Sequence, residues 1–170
     1  TGWTLGAVVG KSELTRDIRI LEGSHQIEII DKVVTRGGQT LEVEPEARLS
    51  HPGKEFVQNA GFFQRLLKPQ AAIQTAVVMD DGSVSRFMID QVSPELFTKL
   101  VSWAGFAHRY FFFGLVPQNI SILELRLREE GSSRVVQEIR FQPKRLAPSE
   151  ETEIRYSVFL GPNEMPELAK

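Results

Sequence analysis

Cysteine is absent from the 170 residues, which removes disulfides, thiolate metal sites and a cysteine nucleophile together. Histidine is nearly absent: His25, His51 and His108 are the whole complement, and none lies at a metal-ligand spacing from another. No P-loop, GxGxxG, GxSxG or HExxH pattern occurs. An excess of one charge is lacking as well. The 20 Lys and Arg against 22 Asp and Glu leave a formal net charge of -2, which argues against a nucleic-acid partner and against a polybasic membrane patch. Nor is there a long apolar run. The most apolar stretch, Val101 to Pro117, is broken by His108 and Arg109 and closed by its proline, whereas a spanning helix needs about 20 apolar residues in succession. The opening Thr1-Gly-Trp-Thr-Leu has neither a charged n-region nor a long apolar h-region, so no signal peptide begins it. The sequence is then that of a protein that is not exported, or of an excised fragment.

What is present is an ordinary globular balance, 41% hydrophobic and 25% charged, enough to bury one substantial core in a single domain over residues 1–170. Trp103, Phe106, Tyr110, Phe111, Phe112 and Phe113 can each bury roughly 150–250 Å², so the Val101–Pro117 run is the expected centre of that core. The rest alternates in the manner of half-buried strands. Glu13 to Leu21 places Leu14, Ile18 and Ile20 on one face. After Glu22-Gly23-Ser24, His25 to Val34 resumes the alternation and completes a hairpin. Thr40 to Val43 is a short third strand. Pro45 to Pro69 reads mostly as loop, with Phe62-Phe63 and Leu66-Leu67 either anchoring it to the core or serving a function. Ala71–Met79 and Ser83–Asp90 flank Asp80-Asp81-Gly82, whose Asp-Gly pair signals a tight hairpin; it lacks the further acids of a calcium loop. Ser93-Pro94-Glu95 carries an N-cap, a proline at the first helical position and an acid in the first turn, which predicts a short helix to Leu100. Leu123, Leu125 and Leu127 share a face, Val135, Ile139 and Phe141 return, and Ile154 to Leu160 forms a last strand before Gly161-Pro162. Asn163 then caps a short closing helix, Glu164 to Ala169. Short strands with turns every 8–12 residues make an all-β antiparallel sandwich.

Chemistry is sparse in this pattern. His108 beside Arg109 is either a site residue in an aromatic cleft or a packed histidine beside the core. The carboxylates alternate with arginines as cross-strand pairs on a solvated face do, and Glu150, Glu151 and Glu153 read as a solvated strand entry. An exposed aromatic run could also stack on a sugar ring.

The run Trp103-Ala-Gly-Phe-Ala-His-Arg-Tyr-Phe-Phe-Phe-Gly-Leu-Val-Pro117 resembles the Trp…Tyr-Phe…Pro signature of the large periplasmic domain of the YidC/Oxa/Alb membrane-protein insertase family. Ser157-Val-Phe-Leu-Gly-Pro162 is similar to that domain's closing strand, with Asn163 where the family often has lysine. Gly23 to Val43 is similar to its strand and following turn, with Arg36-Gly37-Gly38 replacing an asparagine-led turn. The resemblance implies an antiparallel β-supersandwich of the galactose mutarotase-like kind with short helices, one of them at the C-terminus. It implies a domain facing the periplasm from the bacterial inner membrane, part of a larger membrane protein and lacking the start of the full domain. No residue of the family's membrane-embedded groove lies in this sequence. Trp103, Tyr110, Phe111, Pro117, Gly161 and Pro162 are then structural, with Trp103, Tyr110 and Phe111 filling the sandwich. Phe62, Phe63, Glu164 and Leu168 are the candidate partner surface. No catalysis and no cofactor is implied; the partners are nascent membrane proteins and Sec translocon components. The alternative is a carbohydrate-binding or mutarotase-like sandwich, which needs a positioned histidine and carboxylate.

Overall fold

The computed structural model describes residues 1–52, 75–89, 93–98, 101–108, 110–131 and 134–162. In chain order the strands are β1 (Gly2–Val9), β2 (Ser12–Ile20), β3 (Gln26–Thr35), β4 (Leu41–Val43), β5 (Glu46–Pro52), β6 (Thr75–Asp80) and β7 (Ser83–Met88). They continue with β8 (Glu95–Phe97), β9 (Val101–Ala107), β10 (Phe111–Pro117), β11 (Ile122–Glu130), β12 (Arg134–Phe141), β13 (Lys144–Leu146) and β14 (Glu151–Pro162). An eight-stranded sheet runs β1-β2-β3-β14-β10-β9-β6-β7, a four-stranded sheet runs β5-β12-β11-β8, and β13 pairs with β4. Neighbouring strands are antiparallel throughout.

Local chemistry sets the turns. Asp81 (φ 45°) and Gly82 (φ 75°) are the two residues between β6 and β7, and Asp80 faces Ser83 as the last rung. Positive φ at both positions is the type I′ turn that matches strand twist. The expected hairpin near the N-terminus is β2 on β3, with Ile18 opposite Ile29. The aromatic run forms β9 and β10, closed where the His108 amide donates to the Phe111 carbonyl at 2.7 Å. Here Gly105 faces Gly114 across the ladder. A Cβ on Gly105 would stand 2.2 Å from the Phe113 carbonyl oxygen, and one on Gly114 would stand 2.4 Å from the Phe112 ring. The backbone of β10 excludes a side chain at Gly105, and the Phe112 ring excludes one at Gly114.

The principal core fills the space between the sheets. Val78, Ala104, Phe106, Leu115, Ile154 and Tyr156 from the larger sheet meet Leu49, Leu125, Leu127, Val135 and Ile139 from the smaller. Buried Gln137 reaches across from β12 and donates to the Gly105 carbonyl at 3.0 Å. A second cluster, Val77, Trp103, Ala107, Phe112 and Phe159, occupies the opposite face of the larger sheet, because adjacent strand residues point to opposite faces.

Several expectations are corrected. Residues 46–52, read as loop, form β5: Leu49 is buried, and among the described residues the strand pairs with β12 alone, with Pro52 at its end. Glu95–Phe97, read as helix, is β8, paired with β11 and packed through Phe97 on Phe87; pairing and burial outweigh the capping signal there. Leu123 is exposed because a bulge between Ile122 and Glu124 turns Ile122 inward in its place. Tyr110 and Phe111, expected inside the sandwich, are each 64% exposed. One lies in the turn and the other on the first rung of β10, opposite Pro162. Strands β1 and β13 were not anticipated. Phe62, Phe63, Glu164, Leu168 and the closing helix lie outside the described residues.

Candidate interaction surface

The register of the larger sheet defines rows of side chains on the face that carries the principal core. One row runs Tyr156, Ile29, Ile18, Trp3 across β14, β3, β2 and β1. Tyr156 is buried, Ile29 packs partly on the core, Ile18 is half-buried and Trp3 is 55% exposed. The next row runs Ile154, Asp31, Arg16, Leu5, and Leu5 is 57% exposed. Val9 and Ile20 lie on the same face and are exposed too. The four-stranded sheet therefore covers this face beneath β14 and β10, and its cover tapers off over β3 to β1. Trp3, Leu5, Val9 and Ile20 thus leave exposed apolar side chains on one face of the sheet.

The reverse face of the same ribbon carries exposed Val8 and buried Ile30 together with polar pairs. Thr4 donates to Asp17 at 2.7 Å, Arg19 pairs with Glu28 at 3.5 Å, and Lys32 pairs with Glu153 at 3.8 Å. Among the described residues, the apolar face holds the Arg16–Asp31 charged pair, at its border with the core. Arg16 Nε and Nη2 fork onto the two carboxylate oxygens of Asp31 at 2.6 and 2.8 Å. That hydrogen bond raises the Arg16 guanidinium above its usual range. The Tyr156 hydroxyl donates to the same carboxylate at 3.4 Å; burial, and then the Asp31 charge, push it up to about 12.

Among the described residues, strand β1 also ends the sheet, and no described strand pairs with its outer edge. Edge strands are commonly guarded by charge, proline or a bulge. Gly2–Val9 contains no charged residue and no proline. An uncharged edge beside an apolar face is a template for an added strand. Sequence reasoning passed over this surface, although the signal was there: Trp3, Leu5, Ala7 and Val9 alternate along a segment without charge.

The motif residues are spread over the fold. Trp103 is 5% exposed and meets Phe112 edge-on at 5.3 Å. Pro117 ends β10 opposite Tyr156. Gly161 packs against His25, whose Cβ would lie 2.7 Å from any Cβ added there. Phe111, Phe113, Leu160 and Gly161 line a shallow apolar cavity of about 260 Å³ beside His108. His51 and His108 meet each other, whereas His25 lies against Phe159. Among the described residues, no group of three or more His, Asp and Glu side chains could hold a metal ion. Among them, too, no helix is long and apolar enough to cross a membrane.

The family described as the YidC periplasmic domain matches residues 3–170. The membrane protein insertase YidC of Citrifermentans bemidjiense is 21% identical over 133 residues, 76% of this chain and 25% of that protein. The membrane protein insertase YidC of Syntrophus aciditrophicus is 33% identical over 64 residues, 38% of this chain and 12% of that protein. The chain thus spans a quarter or less of the length of these relatives. Among solved structures, a galactose mutarotase-like protein from Lactobacillus casei aligns with a TM-score of 0.60 at 8% identity, covering 94% of this chain and 69% of that one. A putative aldose 1-epimerase from Escherichia coli aligns at 0.58 and 8%, covering 94% and 63%. Such likeness establishes a galactose mutarotase-like fold and nothing about chemistry.

Proposed function

Because the chain belongs to the YidC periplasmic domain family, we propose that it is a non-catalytic interaction domain of a YidC-type membrane protein insertase, held on the periplasmic side of the inner membrane. The observation that carries this reading is the uncovered apolar face of β1 to β3 beside the uncharged edge of β1. An extended apolar segment of a nascent membrane protein fits both features. Its backbone would add to β1, and its alternate side chains would rest on Trp3, Leu5, Val9 and Ile18. Sec translocon components are the second class of partner, and Phe62, Phe63, Glu164 and Leu168 remain proposed contacts. Family-motif residues Trp103, Pro117, Gly161 and Pro162 hold the fold in this reading rather than touching clients.

Photo-crosslinking in the full-length insertase tests the proposal. A photoreactive residue at Leu5 is expected to form adducts with a nascent membrane protein, and one at Glu138 on the outer face of the small sheet is not. Adducts confined to the insertase's own polypeptide would assign the face to internal packing and overturn the client role. Saturable binding of a simple sugar, lost on substitution at Phe111, would favour a carbohydrate-binding domain instead.

A further inference from the structure

Every second residue of β1 points to the same face of the sheet, and the two sets differ in chemistry. Toward the core side stand Trp3, Leu5, Ala7 and Val9, with Ile18, Arg16, Leu14 and Ser12 opposite them on β2. The fork of Arg16 onto Asp31 draws its guanidinium toward β3 and away from β1. Trp3 and Leu5, each more than half exposed, therefore border the edge of the sheet as plain apolar surface. Toward the reverse side stand Gly2, Thr4, Gly6 and Val8, with Arg19, Asp17, Thr15 and Glu13 opposite. Two of those four β1 residues have no side chain, and nothing lies within 4 Å of where a Cβ on Gly6 would stand. Thr4 donates to Asp17 at 2.7 Å, and the neighbouring charges are paired, Arg19 with Glu28 at 3.5 Å and Glu13 with Arg36 at 2.6 Å. Of the β1 residues on this side, Val8 alone offers apolar contact.

A strand added to β1 would run about 4.8 Å away, with side chains alternating in phase with those of β1. On the core side each would stand about 5 Å, Cβ to Cβ, from Trp3, Leu5, Ala7 or Val9, so apolar residues gain contact there. On the reverse side the added residues meet two glycines, a threonine and a row of paired charges. An apolar side chain gains little in that row, and a polar one keeps its water. We propose that β1 selects its clients by period: the segment that docks is an extra-membrane, strand-forming stretch with apolar residues at every second position. A spanning helix does not fit. Its run of about 20 apolar residues would leave half of the docked apolar side chains over the reverse face, and unwinding it would break backbone hydrogen bonds that lipid cannot replace. The assignment rests on the client role of β1 and adds to it the pattern that β1 accepts.

The test uses two soluble peptides of the length of β1 and of identical composition, with lysine among the polar residues so that neither self-associates. One has its apolar residues at every second position, the other at the i, i+3, i+4, i+7 spacing of a helix face. Extended on β1, the second peptide puts half of its apolar side chains on each side. Fluorescence anisotropy gives the two affinities for the chain, and amide hydrogen exchange with each peptide at saturation locates the contact. The alternating peptide is expected to bind about tenfold tighter or more and to slow exchange across Gly2–Val9. Equal affinities with equal protection of Gly2–Val9 would overturn selection by period and leave β1 a docking edge. Tighter binding of the alternating peptide without that protection would place the contact elsewhere and overturn the assignment to β1. Failure of both peptides to bind would overturn the client role of β1 together with its selectivity.

Discussion

Trp103 and Phe111 stand eight positions apart in one aromatic run and differ in what holds them. Trp103 is wedged among Val77, Phe112 and Phe159, so Trp103→Ala deletes a large side chain from a packed cluster. It is expected to lower stability by about 3–5 kcal/mol. Phe111→Ser at the exposed end of β10 should change it by no more than about 0.5 kcal/mol. Urea unfolding of both variants measures the contrast, and an unchanged midpoint for Trp103→Ala would show that the cluster does not support the fold. Tyr156 gives a second test at this scale. Its folded pKa, raised from 10.0 to about 12, means that above pH 10 the unfolded chain loses a proton the folded chain keeps. Stability from this group is therefore complete below pH 10 and is lost as pH climbs from 10 to 12. Tyr156→Phe keeps the ring against Phe141 and removes the ionisation. Thermal melts between pH 9 and 12 should show a shallower alkaline decline in the variant than in the parent.

At the scale of elements, the sheet order ranks the strands by how firmly they are held. Strand β14 lies between β3 and β10 and donates to both neighbours, whereas β1 has one neighbour and no buried residue. Amide hydrogen exchange followed by mass spectrometry should find Gly2–Val9 exchanging first and Ile154–Phe159 last; equal protection in both would contradict the taper of the core. The same ranking explains what the sequence made legible. Elements carried by local signals were readable: the Asp81-Gly82 turn and the alternation of β2 and β3. The one-sided pattern expected of β12 and β14 was not, because Val136 and Phe159 are buried on the faces expected to be solvated and Leu160 is exposed. Elements decided by distant partners were not. Glu95–Phe97 is a strand because β11 offers an edge there, and residues 46–52 are a strand because β12 does. Periodicity also misplaced Leu123, since one bulge puts Ile122 instead of Leu123 on the buried face of Leu125 and Leu127. The aromatic run was rightly taken as central, yet its length hid a division. Phe113 serves the core between the sheets, Trp103 and Phe112 serve the cluster behind, and Tyr110 and Phe111 serve neither.

Across the whole molecule, unequal layers create the candidate surface. Eight strands face four, so a strip of the larger sheet must either carry polar side chains or await a cover. The outer face of the smaller sheet takes the first course, with Arg140 beside Glu46 and Glu124, and Arg128 beside Glu138. Strands β1 to β3 do not, because Trp3, Leu5, Val9 and Ile20 are turned toward the core side and left exposed. Selection for stability alone would favour charge at such positions, since exposed substitutions there leave packing untouched. The joint change Leu5→Lys and Val9→Lys is accordingly expected to move the melting temperature by no more than about 2 °C. The same change should weaken binding of an extended apolar peptide at least about tenfold, a loss of about 1.4 kcal/mol. It also places two charges on the edge that an added strand would occupy. Calorimetric titration of such a peptide against parent and variant, with melting curves of each, separates the two effects. Equal affinity would show that the face is not where apolar segments bind, and a collapse in melting temperature would show that Leu5 and Val9 belong to the core after all.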